Sequence, residues 1–114
     1  VFLRPLGLRL RGADGLALSS RNALLTPAHR AAAPTIYGAL SENAAAARTM
    51  SVEEFRRRVV ERIDATKLLK TEYLSVVHAE TLEEIDTWSD SFPMRCCIAV
   101  QAGDIRLIDN IAIA

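Results

Sequence analysis

Apolar residues recur at helical spacing in the first half of the chain. Thr26 and Pro27 predict the N-cap and the first position of a short helix over residues 27–32, because proline lacks the N–H that would be unpaired there. Pro34 removes a helical hydrogen bond, so we predict a break and a second helix over residues 34–47. The inner face of this second helix is predicted to carry Ile36, Leu40 and Ala44.

A third helix is predicted over residues 51–66. Ser51 and Glu54 have the spacing of a capping box, and apolar residues follow at helical intervals. These apolar residues are Val52, Phe55, Val59 and Ile63. The opposite face carries the basic residues Arg56, Arg57, Arg58 and Arg62. Such a cluster is typical of a solvated helix face, and contact with a polyanion is the alternative.

The second half of the chain is dominated by strand patterns. β-Branched and aromatic residues predict a strand over residues 72–78, and apolar runs predict two more over 95–102 and 105–113. Gly103-Asp104 predicts a two-residue hairpin turn between the last two strands, since glycine tolerates a positive φ. Residues 81–84 are compatible with a single helical turn. The fold class is therefore predicted as α+β, with helices followed by a three-stranded, mostly antiparallel sheet.

Composition narrows the classes of partner. The chain has 114 residues, the size of one domain, and 14 basic residues balance 14 acidic ones. No net field is present to hold nucleic acid or an anionic membrane, and no apolar run approaches the ~20 residues of a membrane span. We predict a cytoplasmic protein, with a mitochondrial presequence as the alternative reading of the arginine-containing start. The adjacent Cys96 and Cys97 are not expected to form a disulfide, since neighbouring residues on a strand point to opposite faces.

Few residues suggest metal binding or hydrolysis. His29 and His78 stand at no metal-ligand spacing to each other or to the cysteines, so no metal site is predicted. Ser19 or Ser20 could form a triad with His29 and Asp14, but the chain lacks the G-x-S-x-G turn that would expose such a serine. Hydrolase chemistry is therefore not expected.

Asp109 and Asn110 interrupt an otherwise apolar strand. A polar pair in such a strand must find hydrogen-bond partners, because an unpaired buried group is costly. We predict a structural connection to a neighbouring loop, and a catalytic role is the alternative.

Residues 14–22 combine groups that can hold phosphate. Their sequence is Asp-Gly-Leu-Ala-Leu-Ser-Ser-Arg-Asn. Two hydroxyls, a guanidinium and loop N–H groups stand together here, and all of them can donate hydrogen bonds to phosphate oxygens. The alternative is an ordinary capping loop ahead of the first helix.

The same nine residues closely resemble the ATP-phosphate loop of the pantoate–β-alanine ligase family. That loop has the role of the Lys-Met-Ser-Lys-Ser loop in the wider nucleotidyltransferase superfamily. The resemblance covers residues 8–114 in order. It continues through Leu25-Thr26-Pro27, Arg30, Ala33-Pro34, Tyr37, the strand Glu72-Tyr73-Leu74-Ser75-Val76-Val77 and the strand Arg106-Leu107-Ile108-Asp109-Asn110.

The resemblance implies one half of a two-domain ligase. Residues 1–11 would be the end of an inter-domain strand and hinge, and residues 12–114 the C-terminal lid domain with the phosphate loop at 14–22. An N-terminal domain would hold pantoate and most of the catalytic machinery. The whole enzyme would activate pantoate with Mg-ATP to pantoyl adenylate and pyrophosphate, and β-alanine would then give pantothenate and AMP. It is expected to be a homodimer with ATP, pantoate and β-alanine as its ligands, with Mg²⁺ accompanying ATP and no tightly bound cofactor.

The resemblance also implies roles for individual residues. Ser19, Ser20 and Arg21 would stabilise charge on the phosphates in the transition state. Leu10 and Leu18, together with these three residues, would form the ATP-binding set. The lid alone is expected to be inactive.

The chain departs from the family pattern in the hinge before the loop, at Leu8, Arg9 and Gly12. These positions bear on the docking of the lid and on the Leu10 contact. The alternative from a different class of function is a non-catalytic binding or regulatory module that retains the lid fold.

Overall fold

The computed structural model describes residues 10–113. Their regular elements follow one another as helices and then strands. The helices are α1 (Pro27–Ala32), α2 (Thr35–Ala45) and α3 (Val52–Asp64), and the strands are β1 (Leu69–His78), β2 (Met94–Ala102) and β3 (Ile105–Ile113). Short 3-10 helices occupy Ser20–Leu24 and Ala47–Thr49. The predicted α+β class and the order of its elements are confirmed.

The three strands form one antiparallel sheet in the order β1-β2-β3. β2 and β3 are joined by the predicted two-residue turn, in which Ala102 pairs with Ile105 and Gly103 has a φ of 65°. A positive φ is what this turn requires at its first position, and glycine adopts it without steric penalty. β2 is the central strand, so its apolar side chains fall in the middle of the core.

The helices pack on one face of this sheet. The largest fully buried side chains come from both layers, and they are Phe55, Leu40, Ile63, Ile98, Val59, Val76, Val100 and Cys96. Phe55 contacts the Trp88 ring edge-on at 5.6 Å, and Trp88 donates its indole N–H to the Met50 carbonyl at 2.7 Å. The region after β1 is thereby tied to the start of α3.

Both predicted N-caps are present. Thr26 Oγ1 accepts from the His29 N–H at 3.1 Å, with Pro27 in the first turn of α1. Ser51 Oγ accepts from the Glu54 N–H at 3.0 Å. Each bond satisfies an N–H that the helix itself leaves unpaired.

The arginine-rich face of α3 carries several ion pairs. Arg57 and Arg58 both contact the Glu54 carboxylate, and Arg57 also reaches Glu61 at 2.9 Å. Hydrogen bonds from Arg58 and Arg57 hold the pKa of Glu54 below its ordinary value. On the same helix, Arg62 pairs with a glutamate of α2. This internal pairing favours the interpretation as a solvated helix face.

Apart from shifts of one or two residues at the ends of elements, the fold differs from the sequence-based prediction in two segments. β1 begins at Leu69 rather than at residue 72, because a bulge between Thr71 and Tyr73 breaks the alternation that would have revealed the early part of the strand. Residues 81–84 form no helical turn, and Glu84 instead makes an isolated antiparallel bridge with Val77. The inter-domain strand and hinge expected at residues 1–11 lie outside the described residues, except for Leu10 and Arg11.

The two cysteines are free thiols on opposite sides of β2. Cys96 is fully buried and Cys97 is partly exposed. Burial raises the pKa of both thiols. Both are therefore protonated at neutral pH, as expected of small apolar residues.

Candidate functional site

The candidate phosphate loop begins as a tight hairpin. Arg11 and Ala17 form an isolated antiparallel bridge, and Leu18 donates its N–H to the Leu10 carbonyl at 2.8 Å. Leu10 and Leu18 therefore lie opposite each other at the open end of the hairpin. These two leucines, which the resemblance assigns to ATP binding, are neighbours in the structure.

The turn of the hairpin is held by its polar residues. The Gly15 N–H donates to the Gly12 carbonyl at 3.0 Å, and Gly15 has a φ of 88°. Asp14 accepts from the Leu16 N–H at 3.1 Å and pairs with Arg30 of α1 at 2.8 Å. These contacts, with that to Arg30 the stronger, lower the pKa of Asp14. The turn is thus connected to the first helix.

The tip of the loop carries the predicted phosphate-binding residues. Ser19 caps the 3-10 helix that begins at Ser20, because its Oγ accepts from the Arg21 N–H at 3.2 Å. Ser19, Ser20 and Arg21 are all exposed. The Arg21 guanidinium makes one long contact, 3.5 Å, to the Arg106 carbonyl of β3. Three consecutive side chains of the predicted site are therefore presented to solvent together.

Several donors at this tip are unused. Over residues 10–113, no acceptor is bonded to the backbone N–H groups of Ser19 and Ser20 or to the Ser20 hydroxyl, and no carboxylate pairs with Arg21. Next to them stand two exposed apolar side chains, since Leu10 is 77% and Leu18 55% exposed. The tip therefore offers a positive charge and free donors beside an uncovered apolar surface.

Asn22 closes the loop in a way that the sequence analysis did not predict. Its side-chain amide donates to the Ala17 carbonyl at 3.0 Å and so ties the tip to the hairpin. Its Oδ1 is buried and has no hydrogen-bond partner in the described part of the chain. Asparagine is typical of such turns, because its amide can satisfy a nearby carbonyl.

The predicted structural connection of β3 is confirmed. Asp109 is buried and forms an ion pair with Arg11 at 2.6 Å, and the Asn110 side chain accepts from Arg95 at 2.9 Å. Arg11 was not singled out in the sequence, where it is one of five arginines in the first 30 residues. Its position directly before the loop was the only available signal.

The described residues form neither the serine triad nor the metal site considered in the sequence. His29 Nδ1 lies 2.6 Å from Thr26 Oγ1 and Asp14 is engaged by Arg30, so neither is aligned with a serine. The other histidine, in β1, stacks on Phe92 with ring centroids 4.2 Å apart. Across residues 10–113, no group of three His, Cys, Asp or Glu side chains is placed to hold a metal ion. No helix in that range is both long and apolar enough to cross a membrane.

Comparison with known proteins identifies the family. The family model described as pantoate-beta-alanine ligase matches residues 8–112, which is nearly the whole chain. The chain therefore belongs to the pantoate–β-alanine ligase family.

Individual relatives carry the name pantothenate synthetase. That of Rhodopseudomonas palustris is 44% identical over 107 residues, and that of Azobacteroides pseudotrichonymphae is 37% identical over 102 residues. These alignments cover 91% and 90% of this chain but only 36% of each relative. The chain thus spans about a third of the length of its relatives, and it corresponds to their C-terminal part.

A solved structure agrees with the fold. The crystal structure of pantothenate synthetase from Thermus thermophilus superposes with a TM-score of 0.80 at 38% sequence identity. The match covers 92% of this chain and 38% of that one. The arrangement of helices over a three-stranded sheet is therefore the arrangement of the family.

Proposed function

We propose that this chain is the C-terminal lid of an enzyme that joins pantoate to β-alanine with ATP. In this reaction the pantoate carboxylate attacks the α-phosphorus of ATP, which gives pantoyl adenylate and releases pyrophosphate. The β-alanine amine then attacks the acyl carbon, loses a proton and displaces AMP. Pantoate and β-alanine would bind to a domain outside this chain.

The unused donors at the loop tip are the observation that carries this proposal. The N–H groups of Ser19 and Ser20, the Ser20 hydroxyl and the Arg21 guanidinium form a set that can take several phosphate oxygens at once. Arginine brings a permanent positive charge and a forked donor, which suits phosphate geometry. Membership in the ligase family supplies the ligand that such a set would bind.

The chemical role follows from where charge develops. As pyrophosphate departs, negative charge grows on the oxygens of the leaving phosphates. Donors already held in place stabilise that charge more than they stabilise bound ATP, because they need no reorganisation during the reaction. Ser19, Ser20 and Arg21 would therefore act by electrostatic stabilisation and not by proton transfer.

The exposed leucines fit the nucleotide side of the same site. Leu10 and Leu18 are large apolar side chains left open to solvent, and they stand together at the open end of the hairpin. We propose that closure of the lid places them against the nucleotide, where they lose that exposed surface.

Mg²⁺ would enter this site with the ATP phosphates, whose charge it neutralises. The loop contributes N–H, hydroxyl and guanidinium donors to the phosphates, and none of these is a carboxylate of the kind that commonly binds Mg²⁺. No side chain of residues 10–113 is therefore assigned to the metal.

Single-turnover formation of pantoyl adenylate by the full-length enzyme tests the proposal. Arg21→Ala should slow this step by about 10²–10³-fold, equivalent to about 2.7–4 kcal/mol, while ATP affinity falls less. Arg21→Lys should restore only part of the rate, since the charge remains but the fork is lost. Arg56→Ala is the matched control, because Arg56 is an exposed arginine on α3 with no ion pair among the described residues.

Wild-type adenylation by a well-folded Arg21→Ala variant would contradict the proposal. The loop would then be a capping turn, and a non-catalytic module would become the better description of the chain.

A further inference from the structure

The Arg11 side chain is bonded to its own loop and to the last strand at the same time. One terminal nitrogen donates to the Gly15 carbonyl at 3.1 Å and to Asp109 at 2.6 Å. The other donates to the second Asp109 oxygen at 2.9 Å and to the Asn110 carbonyl at 3.1 Å. The loop turn and β3 therefore share one guanidinium, and Arg11 and Asp109 are 98 residues apart in sequence.

Asp109 makes this contact rigid. It is 4% exposed, and its Oδ1 also accepts from the Asn110 N–H at 2.7 Å. A two-pronged pair between a planar guanidinium and a carboxylate fixes the orientation of both groups. Because the carboxylate is embedded in a strand of the sheet, Arg11 has little freedom to move.

Tyr37 of α2 completes the support from the other side. The Arg11 guanidinium lies over the Tyr37 ring, 4.1 Å from its centroid. The same ring lies so close to Gly15 that a Cβ at residue 15 would be 2.5 Å from a ring carbon. Gly15, Tyr37, Arg11 and Asp109 thus form one packed unit beneath the hairpin, which we call the loop anchor.

The loop anchor determines where the tip of the loop stands. Arg11 pairs with Ala17 across the hairpin, and Ala17 accepts the Asn22 amide from the far side of the tip. The segment between Ala17 and Asn22 contains the three phosphate-binding residues 19–21. A displacement of Arg11 would therefore be passed to both ends of that segment.

We propose that Arg11 and Asp109 are positioning residues for ATP chemistry, which hold the loop tip in the orientation that meets the phosphates. They act through Ser19, Ser20 and Arg21 and do not touch the substrate. The proposal rests on the proposed function of the loop. It adds that the lid binds phosphate productively only while this ion pair is intact.

The test compares variants of the full-length enzyme in single-turnover adenylation. Arg11→Lys keeps the charge and loses the fork, and Asp109→Asn keeps the shape and loses the charge. Each should slow adenylation by about 10²-fold, since a misplacement near 1 Å has effects of this size. The KM for pantoate should change little, and both variants should remain folded at the temperature of the assay. Arg62→Lys, which alters an exposed ion pair between α2 and α3, is the matched control and should retain the wild-type rate.

A double variant separates positioning from general destabilisation. Because Arg11 acts partly through Arg21, adding Arg11→Lys to Arg21→Ala should slow adenylation by clearly less than Arg11→Lys slows it in the wild-type background. Fully multiplied losses would overturn the proposal. Wild-type adenylation by folded Arg11→Lys and Asp109→Asn would also overturn it, and so would loss of the folded state in both, because the pair would then serve folding and not placement.

The two proposals fail in distinguishable ways. A wild-type rate for Arg21→Ala defeats the proposed function of the loop itself. If Arg21→Ala slows adenylation while Arg11→Lys and Asp109→Asn keep the wild-type rate, the proposed function of the loop is supported. Only the positioning role is then contradicted.

Discussion

The Tyr37 ring occupies the space where a side chain at Gly15 would stand. A Cβ built on Gly15 would lie 2.5 Å from Tyr37 Cδ2, closer than any ordinary van der Waals contact. Gly15 also has a φ of 88°, in the region that favours glycine. The loop turn is therefore matched to α2 both in backbone conformation and in shape.

Gly15→Ala should destabilise the 114-residue domain. The strained φ and the collision with Tyr37 together predict a loss of about 1–3 kcal/mol in the free energy of unfolding, measured by urea denaturation. Gly38→Ala is the control, since Gly38 lies in α2 and the nearest atom to its added Cβ is the flexible end of Arg62. That change should stabilise the domain by about 0.5–1 kcal/mol. Equal effects of the two substitutions would contradict the fit between Gly15 and Tyr37.

Asp109→Ala should lower the stability of the same domain. It leaves the Arg11 guanidinium, only 18% exposed, without its carboxylate partner. An unsatisfied group of this kind predicts a loss of about 1–3 kcal/mol, read from the urea midpoint. Asp86→Ala removes an exposed carboxylate and should leave the midpoint in place. An unchanged midpoint for Asp109→Ala would contradict the stabilising role of this ion pair.

The titration of Asp14 should report its contact with Arg30. Because the folded pKa lies below the ordinary value of 3.8, the ion pair contributes stability above that pH. This contribution is lost as the pH falls through the lower, folded pKa. Carboxyl NMR of the domain should therefore show a midpoint below 3.8 for Asp14, and Arg30→Gln should raise it. The Leu16 N–H would still lower the pKa of Asp14 in that variant, so recovery should be incomplete.

Arg48→Gln is the control for this titration. Arg48 pairs with Asp90, which no contact connects to the hairpin turn in the described part of the chain. A midpoint for Asp14 that is insensitive to Arg30→Gln would contradict the ion pair.

The 114-residue chain by itself should fold and remain inactive. Its core joins both layers, with Phe55, Ile63 and Ile98 fully buried, so the domain has its own apolar interior. Pyrophosphate release with pantoate, β-alanine and Mg-ATP should stay at background, because the donors of the loop cannot bring pantoate to ATP. Cooperative thermal unfolding should show that the inactive chain is folded. Clear turnover by this chain would contradict the proposal that pantoate and β-alanine bind to a domain outside it.

Much of the secondary structure could be predicted because it depends on residues that are close in sequence. Thr26 and Ser51 cap helices through bonds to N–H groups three residues away, and Gly103 turns a hairpin through its own φ. These features depend on neighbours along the chain, so composition and spacing reveal them. Residues 14–22 were similarly interpreted as a candidate phosphate-binding segment, because all of their donors are contiguous.

Tertiary structure decided the rest. The bulge after Thr71 depends on pairing with β2, and the role of Arg11 depends on Asp109, which is 98 residues away. Arg11 is one of several arginines near the start of the chain, and nothing in its neighbouring residues indicates that it pairs with Asp109. The sequence by itself determined most of the secondary structure and the donors of the loop, since both rest on short-range order, and contiguous motifs showed the family. Only folding brought Arg11, Tyr37 and Asp109 beneath the loop, because long-range packing and the pairing of a buried charge select contacts that no local pattern encodes.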